Sequence, residues 1–332
     1  MILTVTLNLA LDVTYQLPAV DWDGVNRVTS VHRRAGGKGV NVARVLAALG
    51  HEVLVTGLAG GPTGQAIDGD LRAAGLPSAL TPIATDSRTT LAVTETPAPT
   101  PPGPVTDRGS GERVGPAPAG AGAGGAETAR TALFNEPGPE VTPGELEGFV
   151  RRYESLVAAA DAVVLSGSLP RGVPHDTYAA LAAIAADKGV PAIVDADGEP
   201  LRHAPRGRPS VVKPNAEELA RAVPGGRPAE GAQALRERGA GAVVVSMGSG
   251  GLLAVTGEGT FRARMPYTVG GNPTGAGDSL VAGLALGLVE RAPWPDRLRR
   301  AAALGAAAVA APVAGDFDPD VYADIHPKII IT

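Results

Sequence analysis

The chain has 332 residues, enough for one large domain or a domain with an appendage. Its formal net charge of −5 and 3% aromatic content supply neither the basic footprint nor the stacking platforms of a nucleic-acid binder, and with no cysteine both disulfides and thiolate chemistry are excluded. A hydrophobic content of 44% supports a folded chain, but the longest apolar run, after Ser279, is about half of the roughly 20 residues needed to span a bilayer.

Residues 1–7 read as a first strand, because no basic stretch precedes them and polar Asn8 follows; no secretory leader is expected, and the expected location is cytoplasmic. A helix over 40–49 closes at Gly50, a strand follows over 51–57, and a helix over 64–74 stops at Gly75. Thr142, Pro143 and Glu145 have the spacing of a capped start for a helix over 143–160. A buried strand over 162–166 leads to a helix over 176–188 and strands over 192–195 and 210–213. Helices over 216–222 and 229–238, then a strand over 242–246, complete the run.

Strands rich in Val and Ile that alternate with helices indicate an α/β fold with a mostly parallel sheet, whose ligands bind beyond the carboxyl ends of the strands. Ser166-Gly167-Ser168, Asp195, Lys213-Pro214-Asn215 and Ser246-Met247-Gly248 all fall at those ends. Segments 12–35 and 87–136 break the alternation and read as a small β lid on a single domain spanning 1–332. Within the second, residues 97–129 are almost entirely Pro, Gly, Ala and Thr with a few charges. They bury too little apolar surface to offset their ordering entropy, so a mobile insertion is expected there.

The richest stretch chemically is Asn272-Pro273-Thr274-Gly275-Ala276-Gly277-Asp278-Ser279, which enters a long apolar helix. Small residues there let main-chain N–H groups reach an anion at a helix N-terminus, and Asp278 can take a proton beside it. That combination suits phosphoryl transfer to a hydroxyl, although an acid in this position is also an ordinary helix cap. A second glycine cluster, Gly36-Gly37-Lys38-Gly39-Val40-Asn41, also opens a helix and directs amides and an ammonium toward one point, as a phosphorylated ligand requires. Arg88 can add a forked contact to the same phosphate, and Asp12 can accept bonds from sugar hydroxyls.

Lys38 is followed by Gly39, so the chain has no Walker-type loop, and no dinucleotide fingerprint follows its first strand. Asn215 and Glu218 have the spacing of a capping box, and the same place at the strand ends suits a hydrated Mg²⁺ bridging nucleotide phosphates. The five histidines show no metal-ligand spacing. The helix over 296–309 reads as core packing that can also wall an adenine pocket.

These motifs, in this order, resemble the phosphofructokinase B (pfkB) carbohydrate-kinase family of the ribokinase-like superfamily, along nearly the whole chain apart from 97–129. Residues 272–278 are similar to the family's C-terminal signature and residues 36–41 to its N-terminal one. Residues 166–170, 213–218 and 246–251 fall between in the expected order. Asn8 to Asp12, the Gly-Gly-Lys-Gly cluster and Asn135-Glu136-Pro137-Gly138-Pro139 are most like 1-phosphofructokinases and tagatose-6-phosphate kinases.

The resemblance implies a ribokinase-like three-layer sandwich and an ATP- and Mg²⁺-dependent kinase. In it Asp278 is the catalytic base and Gly275, Ala276 and Gly277 form the anion hole. Asp12, Gly37, Lys38, Asn41 and Arg88 face a sugar phosphate; Lys213, Asn215, Ser246, Gly248 and Gly251 border ATP; Glu218 helps place Mg²⁺ through water. It also implies pairing of two copies through the lid. The segment Asp195-Ala196-Asp197-Gly198-Glu199-Pro200-Leu201, with an acid where relatives often carry a small hydroxyl residue, departs from the pattern. A kinase for an unphosphorylated sugar or nucleoside, or a binding protein that has lost turnover, remains open at this point.

Overall fold

The structure is a computed structural model and describes residues 1–95 and 130–332. The insertion expected at 97–129 lies outside the described residues. The first part of the chain runs β1 (Ile2–Thr6), β2 (Ala10–Leu17), β3 (Ser30–Gly36), α1 (Lys38–Ala48), β4 (Val53–Gly60), α2 (Gly61–Ala73), β5 (Ser78–Ile83) and β6 (Arg88–Glu95). After β7 (Thr131–Asn135) come α3 (Pro143–Val157), β8 (Ala162–Ser166), α4 (Thr177–Asp187), β9 (Ala192–Asp195), α5 (Gly198–His203) and β10 (Val211–Val212). Then follow α6 (Ala216–Ala222), α7 (Pro228–Glu237), β11 (Ala242–Ser246), β12 (Leu252–Val255) and β13 (Thr260–Arg264). The chain closes with α8 (Ala276–Val289), α9 (Trp294–Ala310), α10 (Pro319–Ile325) and β14 (Ile330–Ile331).

Contacts divide the chain into two units. The larger, Met1–Leu11, Arg34–Thr89 and Glu136–Thr332, holds a ten-stranded sheet of order β14-β13-β12-β11-β10-β9-β8-β1-β4-β5. From β5 to β11 every neighbouring pair is parallel; β12, β13 and β14 add an antiparallel edge that the sequence pattern does not separate from the rest.

Side-chain alternation explains the near-continuous apolar strands. Val163 and Leu165 enter one core with Phe149, Tyr153, Leu181 and Leu235 of α3, α4 and α7, while Val164 enters another with residues of α1, α2, α8 and α9. Both faces of the sheet are therefore buried, as a parallel sheet between two helical layers demands. The three-layer α/β architecture is the one expected. The smaller unit, Asp12–Arg33 and Thr90–Asn135, holds a four-stranded sheet of order β3-β2-β6-β7, with β6 and β7 antiparallel and Leu91 opposite Phe134.

Candidate active site

In the larger unit the carboxyl ends of the parallel strands bring distant residues onto one edge. Ser166 and Asp195 are register partners at the ends of β8 and β9, and Asn215, after β10, bridges to Ser246 at the end of β11. Asp195 is fully buried and is the hub. Its carboxylate takes Lys213 Nζ at 3.2 Å, Lys38 Nζ at 3.4 Å and the Ser166 hydroxyl at 3.3 Å. Burial opposes its charge, but Lys213 and Lys38 together outweigh that and hold the carboxyl below the usual carboxylate range. Lys38 keeps 39% of its side chain exposed. Its partial burial favours the neutral amine, yet Asp195, with Asp278 and Glu218 behind it, prevails and raises its pKa above the ordinary lysine value.

Asp278 sits in the first turn of α8, 6% exposed, and its Oδ2 accepts a hydrogen bond from Asn41 Nδ2 at 2.8 Å. Burial, then the negative Asp195, push its carboxyl up to about 7, while Asn41, Lys38 and Lys213 pull the other way. A buried acid that titrates near neutrality suits proton transfer at physiological pH.

The helix can start here because Gly275 is its cap at φ 86°, and a Cβ at that position would lie 2.9 Å from Cα of Ala314. The main-chain N–H groups of the first turn have no intrahelical acceptor. One of the three expected anion-hole amides is nevertheless engaged, since Ala276 N–H donates to Pro273 O at 3.2 Å. Gly39 plays a packing role at the other helix: a Cβ there would come within 2.4 Å of Thr6 Oγ1, so only glycine lets α1 descend onto β1. Gly37 is the cap residue of α1.

Beside Gly277 opens a cavity of about 580 Å³. One face of α9, Ala302, Gly305, Ala306 and Val309, forms a wall with the i, i+3, i+4, i+7 spacing of a single helix stripe. Asn215, Ser246, Gly248 and Gly251 line it as the sequence implies; Met265, Tyr267, Thr268 and Val269, on the loop after β13, line it too, and no motif marks them. Asn215 and Glu218 make both halves of the capping box, at 2.8 and 2.7 Å, and Glu218 is 8% exposed. Arg88 lies at the start of β6, its guanidinium donating to the carbonyls of Asn8 at 3.3 Å and Glu136 at 3.4 Å. Asp12 is partly buried on β2 of the smaller unit. Within the departing segment 195–201, Asp197 caps α5 through Gly198 N–H and pairs with Arg221 at 2.8 Å.

Sequence reasoning placed Asp195 only at a strand end and missed that it gathers two lysines. The available signal was an acid that ends the otherwise apolar run Ala192-Ile193-Val194, one strand away from Lys213.

The chain's residues 6–99 and 126–320 match the model of the pfkB family carbohydrate kinases. Phosphofructokinase-2 from Escherichia coli in complex with fructose-6-phosphate is 29% identical, with 98% of each chain covered and a TM-score of 0.78. The same enzyme in complex with potassium is 28% identical over 98% of each chain, with a TM-score of 0.82. A protein from Thermotoga maritima described as a possible 1-phosphofructokinase is 23% identical, with 100% of this chain and 98% of that one covered and a TM-score of 0.80, a likeness of fold. The chain belongs to the pfkB family of carbohydrate kinases and is an ATP-dependent sugar kinase of ribokinase-like fold.

Proposed function

We propose that the chain transfers the γ-phosphoryl group of ATP to a hydroxymethyl oxygen of a ketohexose monophosphate, of the fructose 1-phosphate or tagatose 6-phosphate type. The observation that carries this reading is Asp278: a buried carboxylate fixed by Asn41, with its pKa moved to about 7, at a helix N-terminus that borders a nucleotide-sized cavity. Asp278 takes the proton of the acceptor hydroxyl as that oxygen forms its bond to the γ-phosphorus and the bond to the β-phosphate oxygen breaks, so that ADP leaves. Gly277 and its neighbours in the first turn of α8 offer main-chain N–H groups to the charge on the phosphoryl oxygens, a contribution of roughly 3 kcal/mol per donor in other enzymes.

Lys38 and Arg88 support a phosphorylated acceptor. Lys38 carries a fixed positive charge on a side chain still accessible to solvent. Arg88 adds a second contact to the acceptor's phosphate in this reading. A complex of the E. coli relative with fructose-6-phosphate points to the same substrate class.

Mg²⁺ fits the residues present. Asp195, Glu218 and Asp278 share the neighbourhood of Lys38, and a hydrated Mg²⁺ needs only one or two carboxylates beside the phosphates. Glu218 would act on the ion through water, in keeping with a Mg²⁺ that keeps several waters and takes few direct protein ligands. Mg²⁺ would neutralise phosphate charge. Pairing of two copies through the smaller unit belongs to the same reading and is supported by exposed Trp22, Leu133 and Phe134. No described helix is long and apolar enough to cross a membrane, and a cytoplasmic location remains part of the proposal.

A coupled assay of ADP release over a panel of sugars and sugar phosphates tests the assignment. Turnover highest on a ketohexose monophosphate is expected. Turnover highest on an unphosphorylated sugar or nucleoside would overturn the acceptor class, and none on any member would favour a non-catalytic binder.

A further inference from the structure

We infer that Arg44 and Asp70 are positioning residues: together they grip the main chain at Ala35 and so fix the glycine cluster that carries Lys38 at the acceptor side of the site. This rests on assigning that cluster to the acceptor.

The grip consists of three contacts around one residue. Asp70, on α2, accepts the Ala35 N–H at its Oδ2 at 2.9 Å and takes Arg44 Nη2, from α1, on the same oxygen at 2.7 Å. Arg44 Nη2 also donates to Ala35 O at 3.4 Å. Both main-chain polar groups of Ala35 are thereby engaged by one ion pair, and Ala35 is buried immediately before Gly36 at the end of β3. Gly36 and Gly37 follow with the widest backbone freedom of any residue type, so an anchor directly ahead of them decides where Lys38 begins. Asn41, three residues before Arg44 and on the same face of α1, donates to Asp278. One helix is thus tied to Ala35 through Arg44 and to the base through Asn41.

Stability alone does not account for the pair. Arg44 keeps only 11% of its side chain exposed, its Nε is buried with no hydrogen-bond partner, and burial followed by the neighbouring Arg34 lowers its pKa. Holding a guanidinium there opposes folding, and a buried ion pair is often matched or bettered by apolar residues of similar volume. What apolar residues do not supply is an acceptor for the Ala35 N–H.

The test is steady-state kinetics with ATP and with the best ketohexose monophosphate of the panel, each varied in turn, and thermal melting of the same samples, for Asp70→Ala, Asp70→Asn and the double variant Arg44→Leu/Asp70→Leu. Asp70→Ala leaves the Ala35 N–H without its acceptor and should raise KM for the sugar phosphate about five- to thirtyfold, with KM for ATP within about twofold of wild type. Asp70→Asn keeps an oxygen in the same place and loses the charge, so it should melt at a lower temperature than wild type and still hold the sugar-phosphate KM within about threefold. The double variant removes both buried charges together and should melt above Asp70→Ala while its sugar-phosphate KM stays raised. An unchanged sugar-phosphate KM in Asp70→Ala or in the double variant, equal rises in both KM values, or a KM that follows melting temperature across the three variants would overturn the inference. Lys38→Met, measured alongside, separates this failure from that of the reading beneath it: a flat sugar-phosphate KM in that variant would withdraw the glycine cluster from the acceptor altogether.

Discussion

Asn41 and Asp278 lie 237 residues apart in sequence and share a buried hydrogen bond of 2.8 Å, Asn41 Nδ2 donating to Asp278 Oδ2. The bond ties the first turns of α1 and α8, so the two glycine clusters that open these helices are set by one contact. It also stabilises the charged form of a carboxyl that burial keeps near neutrality.

The pH profile follows from that balance. With Asp278 at about 7, kcat/KM should rise with pH through an acid limb near 7, because the base works only when deprotonated. Asn41→Leu removes the bond that favours the carboxylate and should move the limb to higher pH. Folding stability runs the other way. Asp278 binds its proton more tightly when folded, so its contribution is complete below the ordinary carboxylate value and is lost as pH rises through about 7. Asp278→Asn should therefore flatten the fall in stability over that window, measured by denaturant melts at a series of pH values.

Asp195 should be a large structural loss when replaced. Asp195→Asn leaves Lys213, 4% exposed, without its charge partner, and breaking a buried pair from one side costs about 3–5 kcal/mol. The same change removes a negative neighbour of Asp278, so the acid limb of kcat/KM should shift to lower pH. Chemical denaturation and the pH profile of the surviving activity check the two effects separately.

Lys38→Met should raise KM for the phosphorylated sugar at least tenfold and leave KM for ATP within about threefold, since one lost charge-assisted contact is worth about 1.5–3 kcal/mol. Steady-state kinetics with each substrate varied in turn will show it. Equal effects on both substrates would place Lys38 on the transferred group instead of the acceptor's own phosphate.

Gly275→Ala puts a Cβ on a residue at φ 86° with Cα of Ala314 only 2.9 Å away. Strain of about 1–2 kcal/mol from the left-handed backbone, plus displacement of the loop at Ala314, should lower both stability and kcat. Thermal melting and turnover together report it; a variant that keeps both would show that the cap has another conformation available.

Most of the three-layer plan was legible because strands buried on both faces carry unbroken runs such as Val163-Val164-Leu165 and the helices between them have clear caps, as at Thr142 and Asn215. The antiparallel edge was not, since β12 to β14 share the apolar character of the parallel strands and pairing direction leaves no mark on composition. Site motifs rich in glycine stood out; residues whose role comes from tertiary convergence did not. Asp195 is one acid among 34 in sequence and becomes distinctive only when β8, β9 and β10 set it beside Ser166 and Lys213. Asn41 donates to Asp278 because α1 packs on α8, a contact between distant residues that no motif spacing marks. Tyr267 carries no motif at all.

The most direct test of the account is Asp278→Asn, assayed for turnover and, by direct binding, for ATP affinity. Turnover is expected to fall by two to four orders of magnitude with ATP affinity within about threefold of wild type, the signature of a lost general base. Turnover at the wild-type level would contradict it.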